Sequence, residues 1–218
     1  YTLGLARAHE LMKADKWAQA AGEFELFLKN NPDALTTKRG LWLGLLCASI
    51  WNDPGVREAH KKHSRSFFDR FANPQGMFEG LRPAQAYVAF PGANDPDLLA
   101  RALKGCVHAN SIKPDIDEIS MLRAKIEYRK GNYSEVARWL EKPLKSKHAN
   151  RRSNAFAFEA MTRFQLGDKS GARTLLGKAR AEQSTVDRSD FNQHHLAAIV
   201  AMNEATALIE TPATGVSQ

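Results

Sequence analysis

Two stretches of this chain repeat one another around a glycine, thirty-six residues apart, at Gly131 and Gly167. In each, a small residue stands seven positions before the glycine (Ala124, Ala160) and a small or short apolar residue five positions after it (Val136, sharing the close-contact role with Ala137, and Ala172). A large apolar residue follows four positions later still (Leu140, Leu176). Small residues at those places let two antiparallel helices approach closely, and glycine supplies the backbone freedom of the tight turn between them. A period in the thirties built from paired helices marks a repeat array, in which each hairpin hides an apolar face against its neighbour. Such an array works by presenting a surface and seldom by holding a reaction centre.

Periodicity and breakers divide the whole chain into helical hairpins, expected at about 2–30, 35–71, 77–111, 115–147 and 152–182, with a final helix over 190–210. Within them the turns fall at Asn52-Asp-Pro-Gly55 and at Pro91 to Pro96, and Asn31-Pro32 and Asn73-Pro74 close hairpins. Asp95 reads as an N-cap with Pro96 in the first helical turn, Asp190 as the cap of the last helix, and Pro83 as a kink or delay. No stretch alternates as a strand does. The expectation is an all-α chain, with residues 1–210 forming one repeat domain and 211–218 a disordered tail.

The first hairpin extends the pattern: Ala8, Leu11, Trp17, Ala20, Phe24 and Pro32 stand at the spacing of tetratricopeptide repeats (TPR), which the two glycine-centred units also resemble. Gly4, Phe27 and Pro143 depart from that family's preferences. The resemblance implies an α-α superhelix of about five hairpins plus a capping helix, and a groove lined by the first helix of each repeat. Carried over residue by residue, the groove holds Leu5, His9, Met12 and Lys13, then Glu118, Met121, Lys125, Tyr128 and Arg129. The last unit adds Asn154, Ala157, Met161, Phe164 and Gln165. For Tyr128 and Phe164, plain packing is an equal reading. The family's Lys-x-x-x-Asn clamp for a C-terminal carboxylate is missing from the first helix.

The runs Cys47 to Arg57, Phe67-Phe-Asp-Arg-Phe71, Ala86 to Pro91 and Leu98 to Leu103, with Leu166-Gly167-Asp168, are similar to TPR tails behind serine/threonine kinase or β-propeller domains in bacterial multidomain proteins. That resemblance implies a non-catalytic, cytoplasmic interaction scaffold in the C-terminal accessory region of a larger signalling protein. The opening on Tyr1, already in a helical pattern, fits such an excised region.

No catalytic motif stands out in the sequence. The chain has no phosphate-binding glycine loop and no kinase triplets, so no cofactor or metal is expected. His194 and His195 are adjacent and point about 100° apart, which excludes shared metal ligation. His60 and His63 read as part of a solvated basic face, and Asp115, Asp117 and Glu118 as helix-start acids. Cys47 and Cys106 read as reduced core residues. The longest apolar run, Leu41–Trp51, is too short for a membrane span.

Net charge is +7, and cations gather at Arg57–Arg65 and Lys142–Arg152. These clusters lack interleaved aromatics, so a solvated surface outranks nucleic-acid binding. Lys13, Lys125 and Arg129 instead predict a preference for an acidic protein or peptide segment. A structural spacer with a self-occupied groove is the alternative.

Overall fold

The computed structural model describes residues 3–30, 44, 46, 47, 50, 55–187 and 192–211. All regular structure among them is helical. The α-helices are α1 (Leu3–Lys13), α2 (Trp17–Asn30), α3 (Val56–Arg70), α4 (Met77–Val88), α5 (Pro96–Ile112), α6 (Asp117–Arg129), α7 (Tyr133–Leu140), α8 (Ala149–Gln165), α9 (Lys169–Ser184) and α10 (Gln193–Glu210). A 3₁₀ turn covers Pro143–Lys145.

Three hairpins close on one turn geometry. α1/α2, α6/α7 and α8/α9 each place a residue at positive φ two positions past the first helix: Asp15 (56°), Gly131 (79°) and Gly167 (91°). In each turn the next amide bonds back to the carbonyl five residues earlier, Lys16 to Leu11, Asn132 to Glu127 and Asp168 to Arg163, all at 2.9 Å. A second bond ties the positive-φ amide to the carbonyl three residues back, at 3.0–3.1 Å. The paired bonds satisfy carbonyls the helix end would otherwise leave open. Counted from the turn residue, the same offsets are buried in all three units. Ala8, Ala124 and Ala160 lie seven before it, Ala20, Val136 and Ala172 five after, and Phe24, Leu140 and Leu176 nine after, all at 0–1 % exposure. Asp fills the first turn because its short polar side chain tolerates the left-handed region better than most.

The α4/α5 pair is closed differently. Gly80 and Gly105 stand backbone to backbone where the helices cross, and a Cβ on Gly80 would lie 2.7 Å from the Gly105 carbonyl oxygen. Asp95 caps α5 as expected, accepting from the amides of Asp97 (3.2 Å) and Leu98 (3.3 Å). α4 runs through Pro83 without a break or a delayed start.

Several expectations change. α7 stops at Leu140 instead of reaching 147, because Pro143 cannot continue the helix and opens the 3₁₀ turn. Ala137 is exposed and Val136 takes the close-contact position. The last helix is capped by Asn192, whose side chain accepts from the His194 amide at 2.9 Å; Asp190 lies outside the described residues. So does most of the predicted helix at 35–51, although Leu46 and Cys47 are helical and buried. His60 and His63 are buried, not solvated, since that side of α3 faces α4. The His60 ring stacks 3.9 Å from that of Phe90 and its Nε2 meets the Ala86 carbonyl oxygen at 3.0 Å.

Three apolar clusters form the interior. One joins α1 and α2 to Phe67, Ala86 and Phe90, another packs α4 and α5 on α6, and the third lies between α6, α7, α8 and α9. α10 enters two of them. Leu196 and Val200 join the first, and Ala201, Ala205 and Ile209 the third. A helix apolar on nearly every side, as Leu196-Ala-Ala-Ile-Val-Ala-Met202 reads, is one buried on more than one side. No helix among the described residues is long and apolar enough to cross a membrane.

Candidate partner groove

α6 and α8 place their expected groove residues side by side, and α10 lies against them. Arg129, in the last turn of α6, reaches across to α10. Both its terminal nitrogens donate to the Glu204 carboxylate, Nη2 at 2.7 Å to Oε2, while Nε donates to the Val88 carbonyl at 3.3 Å. Its side chain is only 4 % exposed. A two-pronged guanidinium–carboxylate contact is directional as well as strong, so it fixes the rotation of α10 over α6. The Arg129 guanidinium also stands over the rings of Tyr128 and Phe158, at 5.5 and 5.6 Å.

Lys125, one turn earlier, is 6 % exposed and stacks its Nζ over the Phe158 ring at 5.1 Å. Burial, helped by Arg129 and opposed by Glu204, pulls this amine down to about 7. Tyr128 is 7 % exposed and packs edge-on against Phe158; burial pushes its hydroxyl up to about 12. Met161, Met12 and Ala157 are fully buried. These groove positions are therefore in contact with the protein itself.

The other expected residues are spread out. Leu5, His9 and Lys13 lie at the α1 end and are half-buried; His9 Nδ1 is 2.7 Å from the Leu5 carbonyl oxygen, and Lys13 pairs with Glu10 at 2.8 Å. Phe164 is half-buried and Gln165 exposed at the far end of α8. Met121 is half-buried and lines, with Glu118, Lys125 and Asn154, a pocket of about 50 Å³ left between α4, α6, α8 and α10. Leu5, His9 and Lys13 are not among the residues that line this pocket.

The helix-start acids serve as ion-pair partners. Glu118 accepts from Arg151 at 2.6 Å with His194 3.5 Å away, and Asp115 holds Lys142 at 2.8 Å. Arg152 grips Glu182 with two bonds, at 2.9 and 2.6 Å. In the other basic cluster, Lys61 and Arg65 both turn to Asp95. Cations held this way are partly neutralised for phosphate contact. Among the described residues, no group of three or more His, Cys, Asp or Glu is placed to hold a metal ion.

Sequence reasoning missed Glu204 and the Gly80/Gly105 crossing. A lone acid in the middle of an apolar helix was the signal for the first, since a buried charge needs a partner. Two glycines inside neighbouring helical patterns were the signal for the second. No protein-family model, no curated protein and no solved structure matches this chain.

Proposed function

We propose that the chain is a non-catalytic helical scaffold, similar to a TPR superhelix, whose groove is filled by its own α10. The observation that carries this reading is the Arg129–Glu204 contact under α10. The acidic residue expected of a partner at that cation is supplied from within the chain. The shared turn and burial pattern of the three hairpins supports the repeat architecture. The scaffold then acts by packing, as an accessory region against neighbouring parts of a larger bacterial signalling protein. Contacts to a partner segment fall on surfaces α10 leaves open, such as the α1 end with Leu5, His9 and Lys13.

An array of acidic, phosphorylated and neutral peptides, probed with the intact chain, tests this. The expected result is no retention that depends on Lys125 or Arg129, with charge reversal there lowering stability instead. Acidic peptides retained by the intact chain, and lost when Lys125 and Arg129 are reversed in a variant that stays folded, would restore the open groove and overturn the reading.

A further inference from the structure

The pocket beside α10 is walled largely by carbon, with Ala89, Met121, Leu122 and Ala197 among its lining. Two polar side chains of that wall are buried without a matching polar partner. Lys125 is 6 % exposed and is held over the Phe158 ring, with no ion pair to a carboxylate among the described residues. Asn154, one helical turn before Phe158, is 5 % exposed and its side-chain oxygen accepts no hydrogen bond. Glu204, the acid whose charge acts on Lys125, is already committed to Arg129. A buried ammonium without a counter-ion is costly and is relieved by losing its proton. At neutral pH a large share of Lys125 is therefore free primary amine in the wall of this pocket, and a desolvated amine is a nucleophile toward carbonyl carbon.

We propose that Lys125 captures a small aldehyde or ketone as an imine in this pocket. Neutral Nζ adds to the carbonyl carbon, and one proton passes from nitrogen to the former carbonyl oxygen, giving a carbinolamine. That hydroxyl then leaves with the second nitrogen proton as water, and the C=N bond forms; no oxidant or reductant takes part. The charged and titratable groups around the pocket are Asp117, Glu118 and Arg129 on α6, Arg151 on α8, and His194 and Glu204 on α10; α4 contributes only Gln85 to the lining. Glu118 and His194 line the same pocket and are the groups through which the dehydration would exchange its protons. A cavity near 50 Å³ takes roughly one or two waters or a chain of about four heavy atoms. The carbonyl compound is therefore short and uncharged. The site stands independently of the scaffold reading.

The test is reductive trapping on the intact chain. Propanal and cyanoborohydride are added at pH 7, and the alkylated lysines are mapped by mass spectrometry of peptides. An ordinary lysine is on the order of 0.1 % free amine at that pH, so Lys125 should carry about tenfold or more the label of the other lysines. Its labelling should already be near its plateau by pH 8, while theirs still climbs toward pH 10. Lys125→Met, which keeps the length and apolar stem, should remove that peak and leave the rest unchanged. On the unaltered protein, label spread evenly over surface lysines with Lys125 untouched would overturn the proposal. So would labelling of Lys125 only after denaturation.

Discussion

Lys125 makes the stability of this molecule depend on pH in a direction opposite to that of a paired surface lysine. Its folded pKa, about 7, lies below the ordinary lysine value, so between about pH 7 and pH 10 the unfolded chain binds the extra proton. Stability from this group therefore rises with pH across that window, and below it the full burial cost is present. Calorimetry should show a higher melting temperature at pH 9 than at pH 6, and Lys125→Met should raise the pH 6 value and flatten the difference. His60 acts in the same sense at lower pH. Burial holds it near 4, so its contribution is present above about 6.5 and is lost as pH falls through 4. Arg129 gives the complementary case. Arg129→Met strands Glu204 under α10 and should cost about 3 kcal/mol in urea unfolding, while the double variant Arg129→Met, Glu204→Leu should recover more than half of it.

Between helices, two glycines of similar appearance in the sequence predict opposite outcomes. Gly105→Ala drives a methyl into the Gly80 carbonyl across the α4/α5 crossing and should destabilise by about 1–3 kcal/mol. Gly177 sits on the exposed side of α9 with nothing near its missing side chain, and Gly177→Ala should stabilise by about 0.5–1 kcal/mol. Chemical denaturation of both variants checks the pair. Enlarging Ala20 or Ala172 to Leu should cost about 1–3 kcal/mol, while Ala137→Leu should be near neutral because Ala137 faces solvent. The turn and cap residues Gly131, Gly167 and Asp95 were legible in the sequence because they act through local backbone geometry. The helical pattern runs past the end of α7, which Pro143 stops by opening a 3₁₀ turn. Choosing Val136 over Ala137 required knowing which way α7 faces, which its neighbours decide.

At the scale of the whole molecule, the sequence carried the all-helical class. It did not carry where α10 lies. Lys125, Tyr128 and Met161 look like groove residues on α6 and α8 taken alone, yet Lys125 and Tyr128 pack on Phe158 and Met161 lies in the cluster that α10 joins. Long-range docking of this kind leaves only faint local traces, here Glu204 among apolar neighbours. Ordinary stacked repeats have stabilities close to a sum over neighbours, so they can unravel from one end. α10 instead ties Leu196 and Val200 into the cluster of Ala8, Phe24 and Phe90. Unfolding should therefore be one cooperative transition, and circular dichroism and Trp fluorescence should trace the same curve; separated transitions would contradict it. The same tie sets a schedule for synthesis. α1 and α2 leave the ribosome well before α10, yet two of the side chains that complete their cluster belong to that later helix. Until α10 emerges, the earlier hairpins wait with apolar surface uncovered, which makes the nascent chain a natural client for chaperones and a ribosome stalled before Gln193 a source of aggregation.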